Sequence, residues 1–111
     1  MGIAGRGKNM DRVAMLTEIV SQNPGDPFAR YGLAMEYSKA GEVEKALIQF
    51  QTLLEGNPDY TPAYFMAAQM LAGAERSDEA KTFLSHGLAA ARRTRNSHAE
   101  SEMQAMLDAM G

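Results

Sequence analysis

Residues of this chain fall into register with one another at a spacing of 34, and that periodicity restricts the fold more than any other property. Set back by 34, Leu47, Phe50, Leu53 and Leu54 land on Val13, Leu16, Ile19 and Val20, and Asn57-Pro58 lands on Asn23-Pro24. Set forward by 34, Tyr31, Ala34, Tyr37, Ala46, Phe50 and Leu54 land on Phe65, Ala68, Leu71, Ala80, Leu84 and Leu88. The unit is clearest from Pro27 to Pro58, which reads as two amphipathic helices joined by a tight turn, and it occurs about two and a half times. A helical hairpin of this size cannot bury its own apolar face, so it must stack on copies of itself.

Taken in order, Gly2 to Asn9 holds three glycines and two cations, and residues 1–9 read as a disordered tail ahead of a single helical domain over 10–111. Residues 10–24 form a half-repeat whose apolar positions Val13, Leu16, Ile19 and Val20 mark one helix face. Asp26-Pro27 combines a capping side chain with a proline at the first helical position, which opens the first full repeat, 27–60. Gly41 supplies the left-handed residue that ends its first helix. The second copy, 61–94, starts on Thr61-Pro62, and Ser77 is placed as the cap of its second helix. That helix is expected to run on to about Arg95, with Arg92, Arg93 and Arg95 complementing the negative end of its dipole. Ser97-His98-Ala99-Glu100 has the form of a capping box and opens a capping helix over 97–110.

With this spacing and residue pattern, the chain resembles the tetratricopeptide repeat family, whose unit is a 34-residue helix-turn-helix. Leu33, Ala34, Tyr37, Gly41, Ala46, Phe50 and Pro58 stand where the family pattern places large, small and turn residues, as do Tyr64, Ala67, Ala68, Leu71, Ala80 and Leu84 in the second copy. The second copy departs at Glu75, in place of the turn glycine, and at Arg92, in place of the closing proline. Arg30 replaces the first large aromatic of the first copy. The resemblance covers roughly residues 10 to 94. It implies an all-α fold of antiparallel helix-turn-helix repeats, about six helices in all, stacked as a short right-handed solenoid.

Composition excludes several kinds of chemistry. The chain has no cysteine, so it offers neither a disulfide framework nor a thiolate site. The net charge of -3, with both signs interspersed, points to no nucleic-acid surface. No apolar run approaches the ~20 residues of a membrane span, and Met1 to Asn9 lacks the apolar core of a signal peptide, so a cytoplasmic location is expected. Gly2, Gly7 and Lys8 imitate a phosphate-binding loop, but Asn9 stands where a hydroxyl should hold magnesium and no strand precedes it. His86 and His98 lie on different helices without ligand partners at metal spacing. Nothing combines a nucleophile, a base and an orienting group, so the expectation is a non-enzymatic protein with no cofactor, no metal and no small-molecule substrate.

What is left is a surface. In the tetratricopeptide family the first helices of successive repeats line a concave groove that holds an extended peptide or a helix. The resemblance implies that Phe28, Tyr31, Met35, Phe65, Met66 and Gln69 line that groove here, with Ala99 and Met103 at its far end. Tyr31, Met35 and Met66 occupy places where some members grip a peptide's terminal carboxylate with polar side chains, which argues against that mode. Two functions follow: capture of an apolar peptide or amphipathic helix from a partner protein, or homodimer formation through the same surface or the Met-rich last helix. The nine methionines suit adaptable contacts, and equally suit gap-filling between helices.

Overall fold

A computed structural model describes the chain from Ala4 onward, and its side chains from Arg12 onward. All of its regular structure is helical: α1 (Ala4–Gln22), α2 (Pro27–Lys39), α3 (Val43–Gly56), α4 (Thr61–Gly73), α5 (Ser77–Arg93) and α6 (Ser97–Ala109). There is no strand among the described residues. The helices fall into two compact units, 1–53 and 54–111, the first ending within α3.

In the first unit, α1 and α2 form an antiparallel hairpin around Asn23 to Asp26. Asp26 caps α2, its Oδ1 accepting from the backbone N–H of Phe28 at 3.0 Å and of Ala29 at 3.4 Å, while Pro27 takes the first helical position. Gly32 lets Leu16 come close, since a β-carbon there would meet Leu16 Cδ2 at 3.5 Å. Ala29, Leu33 and Ala34 of α2 are buried, as are Ala46, Leu47, Phe50 and Leu53 of α3. Small residues at these positions allow close approach of the helices, and Phe50 and Leu53, both fully buried, fill the space between.

The helix α1 begins at Ala4, inside the stretch expected to be a tail, whereas Met1 to Ile3 of that tail lie outside the described residues. Once the periodic part from Met10 is helical, each added residue gains a hydrogen bond without a new nucleation step, and Gly5 and Gly7 oppose this by only about 1 kcal/mol each.

In the second unit, α4, α5 and α6 bury Ala63, Tyr64, Ala67, Ala68 and Leu71, then Ala80, Leu84, Leu88, Ala90 and Ala91, and from α6 Met103 alone. Two expected caps fall elsewhere. Ser77 is the first residue of α5 rather than its cap; Arg76 stands at the cap and forks onto Glu79, Nε to Oε1 at 2.6 Å and Nη2 to Oε2 at 2.9 Å. Asn96, not Ser97, caps α6 through Oδ1, which accepts from the Ala99 N–H at 3.1 Å. With Asn96 at the cap, Ser97 lies inside the helix and forms no capping box with Glu100, which accepts from Arg92 Nε at 3.0 Å.

Three helices end in the same way. Glu42 N–H donates to Tyr37 O and Gly41 N–H to Ser38 O; Arg76 N–H to Leu71 O and Glu75 N–H to Ala72 O; Asn96 N–H to Ala91 O and Arg95 N–H to Arg92 O. Each is a Schellman turn, whose penultimate residue must be left-handed. That residue is Gly41 at φ 78°, Glu75 at φ 63° and Arg95 at φ 57°. The last of these turns explains why α5 stops at Arg93 instead of reaching Arg95.

Candidate protein-binding surface

Phe28, Tyr31 and Met35 of α2 follow one another at three and four residues, which places them on one helix face. Phe28 is 77% exposed, although Ala29 beside it is buried. Tyr31 and Met35 are half-buried. The Tyr31 ring is held edge-on to Phe50, centroids 6.5 Å apart and planes at 65°, a geometry that suits the quadrupoles of both rings. Next to it, Arg30 donates from Nη1 to Gln49 Oε1 at 2.8 Å and from Nη2 to Pro24 O at 3.4 Å, tying α2 to α3 and to the preceding turn. Lys45 Nζ lies 5.8 Å from the centre of the Tyr37 ring, a further link between the same two helices.

The second unit carries Phe65, Met66 and Gln69 on α4, the two apolar residues half-buried and the amide exposed. The start of α4 is pinned from several sides. Tyr64 Oη donates to Pro58 O at 2.7 Å, Arg93 Nε donates to Asp59 Oδ1 at 2.8 Å, and Asn96 Nδ2 reaches Thr61 Oγ1 at 3.5 Å. Burial pushes the Tyr64 phenol above its ordinary pKa; the charge of Arg93 opposes that rise and the charge of Asp59 adds to it.

Met103 does not belong to this surface. It is 1% exposed, because Gly87 of α5 has no side chain and leaves room for its thioether. Ala99 is half-buried. The basic cluster is engaged in ion pairs, Arg92 with Glu100 and Arg93 with Asp59, and Arg95 forms the left-handed turn. His86 and His98 are exposed, and no group of three or more acidic, histidine or cysteine side chains that could hold a metal occurs among the described residues. No helix among them is long and apolar enough to cross a membrane.

Among the described residues, three large exposed apolar side chains lie outside the expected site: Ile48 at 58%, Met15 at 56% and Ile19 at 39%. The sequence periodicity groups Ile19 with Val13, Leu16 and Val20 on one face of α1, yet of these it is the one left exposed. For Ile48 the copies carry a signal, since its counterparts at the 34-residue spacing are Ala14 and Thr82, both exposed.

No family model matches the chain, and no curated protein does. Solved structures do match. The solution NMR structure of a tetratricopeptide repeat domain protein from Salinibacter ruber is 32% identical to it, over 79% of this chain and 89% of that one, with a TM-score of 0.73. PcrH, solved in complex with the chaperone binding region of PopD, superposes with a TM-score of 0.83 at 19% identity, covering 97% of this chain and 82% of PcrH. The type III secretion translocator chaperone SycD from Yersinia enterocolitica, in a form described as an alternative dimer, gives 0.82 at 16% identity, over 97% and 83% of the two chains. At such identities the last two share the fold and nothing finer is carried across.

Proposed function

Because the chain belongs to the tetratricopeptide repeat family, we propose that it is a non-enzymatic protein-interaction module that holds an apolar peptide or amphipathic helix of a partner protein. The residues assigned to partner contact are Phe28, Tyr31 and Met35 on α2 of the first unit and, separately, Phe65, Met66 and Gln69 on α4 of the second. The observation that carries this reading is Phe28. A phenylalanine left 77% exposed contributes almost nothing to the core of its own chain, and a large apolar side chain in that state is available for burial against a partner. Tyr31, already braced by Phe50, adds a rigid aromatic that loses little entropy on binding. PcrH, with the same fold, is seen holding a segment of another protein, which supports capture of a peptide by such a scaffold.

The second reading is a homodimer through the same surface or through α6, and the dimeric form of SycD favours it. Burial of Met103 removes one methionine from any interface made by α6. The double variant Phe65→Glu, Met66→Glu separates the readings. Loss of a captured partner peptide with unchanged molar mass supports the first, and dissociation of an oligomer supports the second. A folded double variant that keeps both its mass and its partner overturns both.

A further inference from the structure

Helix α1 occupies the place of a second helix in its repeat, and the internal copies show what normally lies beside such a helix. At the 34-residue spacing Met15 corresponds to Gln49 and Ile19 to Leu53. Gln49 is bonded at 2.8 Å by Arg30 from α2, the first helix of its own repeat, and Leu53 is 1% exposed. No helix precedes α1 among the described residues, and there Met15 is 56% and Ile19 39% exposed. The two are four residues apart, so they form one apolar stripe on the side of α1 where a first helix would lie. The side of α1 that adjoins this stripe is engaged by α2, with Leu16 against Gly32 and Arg12 Nη1 at 3.3 Å from Glu36 Oε2.

Charges around this stripe are arranged symmetrically and with opposite sign. Arg12 lies three residues before Met15 and Glu18 three residues after it. A second copy of α1 laid antiparallel across a two-fold axis through Met15 therefore sets Arg12 of each copy opposite Glu18 of the other, twice, while the methionines meet on the axis. Both charged groups can make these bonds. The Arg12 side chain is 58% exposed and bonds Glu36, and Glu18 is exposed and accepts from Gln22 at 2.8 Å; a guanidinium has five N–H donors and a carboxylate several acceptor sites. Met15 is a soft, unbranched side chain that packs well against its own copy.

We infer that α1 is a self-association surface, pairing antiparallel with α1 of a second copy so that Met15 packs on Met15 at the two-fold axis, beside Ile19, and Arg12 meets Glu18 of the partner. This goes beyond the partner-binding reading, since α1 carries none of the residues assigned to it.

The test combines molar mass with a site-specific reporter. Light scattering behind a sizing column should give twice 12.1 kDa at high concentration and fall toward one chain on dilution. Met15→Glu should weaken dimerisation about tenfold or more, because it places like charges together at the axis. Glu18→Arg should weaken it less, and adding Arg12→Glu to that variant should restore it. The chain has no cysteine, so Met15→Cys and Ile48→Cys each provide a single thiol at almost equal exposure, 56% and 58% in the native side chains. A short bismaleimide should join Met15→Cys into a covalent dimer much faster than Ile48→Cys. A monomer at every concentration, a dimer that Met15→Glu leaves unchanged, or equal cross-linking at both positions would overturn the inference. Partner capture, read separately with the Phe65→Glu, Met66→Glu variant, is unaffected by any of these results.

Discussion

Met103 of α6 occupies the space that a side chain on Gly87 of α5 would need: a β-carbon at position 87 would lie 2.4 Å from Met103 Sδ and 2.7 Å from Tyr64 Cβ. The two contacts differ in how they yield. The thioether is the far end of a flexible chain, whereas Tyr64 Cβ is attached to the backbone of α4. Gly87→Ala gains about 1 kcal/mol of helix propensity and loses about 1–3 kcal/mol to overpacking, with the rigid Tyr64 contact placing the loss at the upper end. The expected net effect is a destabilisation of about 1–2 kcal/mol. Met103→Ala should cost about 2–5 kcal/mol as a buried truncation, and combining the two should rescue Gly87→Ala only in part, since the Tyr64 clash persists. Urea midpoints with unchanged slopes would report each value.

The left-handed positions give a prediction of opposite sign. Glu75 and Arg95 hold φ of 63° and 57°, a conformation that a β-carbon penalises and glycine does not. Glu75→Gly and Arg95→Gly should each stabilise the chain by about 1 kcal/mol, and Gly41→Ala, at φ 78°, should destabilise it by a similar amount. By thermal unfolding, each such change is expected to shift the midpoint by about 4–8 °C for a domain near this size.

Tyr64 predicts an alkaline limb in the stability profile. Its phenol is raised above 10.0 by burial, so the folded state keeps a proton that the unfolded state releases. Its contribution is complete below pH 10 and is lost as pH rises through the higher folded value. Tyr64→Phe should be about 1 kcal/mol less stable at neutral pH, because the bond to Pro58 O is lost, and should show a shallower decline above pH 10. Urea titrations of both proteins from neutral pH to pH 11 would resolve the difference.

Features governed by neighbours in sequence were legible before any coordinates. Asp26 and Pro27 start α2, Gly41 ends it, and the alternation of Ala34, Ala46, Phe50, Ala68, Ala80 and Leu84 marks buried positions that are buried in the structure. Features governed by a competing partner were not. Ser97 and Asn96 both offer a cap to α6; Asn96 takes the Ala99 N–H, while Glu100 accepts from Arg92. Glu75 and Arg95 are left-handed because backbone bonds from Arg76 to Leu71 and from Asn96 to Ala91 require it, which residue type alone does not reveal. Met103 has the composition of a surface methionine on an amphipathic helix. Only the slot at Gly87, sixteen residues away on another helix, shows that it belongs to the core.

The side-chain bonds from Arg92 to Glu100, Arg30 to Gln49, Arg12 to Glu36, Arg93 to Asp59 and Asn96 to Thr61 join residues 8 to 35 positions apart. Contacts of that span close small loops, and the entropy lost in closing a loop grows only slowly with its length. Helical chains, in which most contacts are local, fold in microseconds to milliseconds. During synthesis, each helix can therefore be covered as soon as the next helices emerge, and little apolar surface waits for a partner far along the chain.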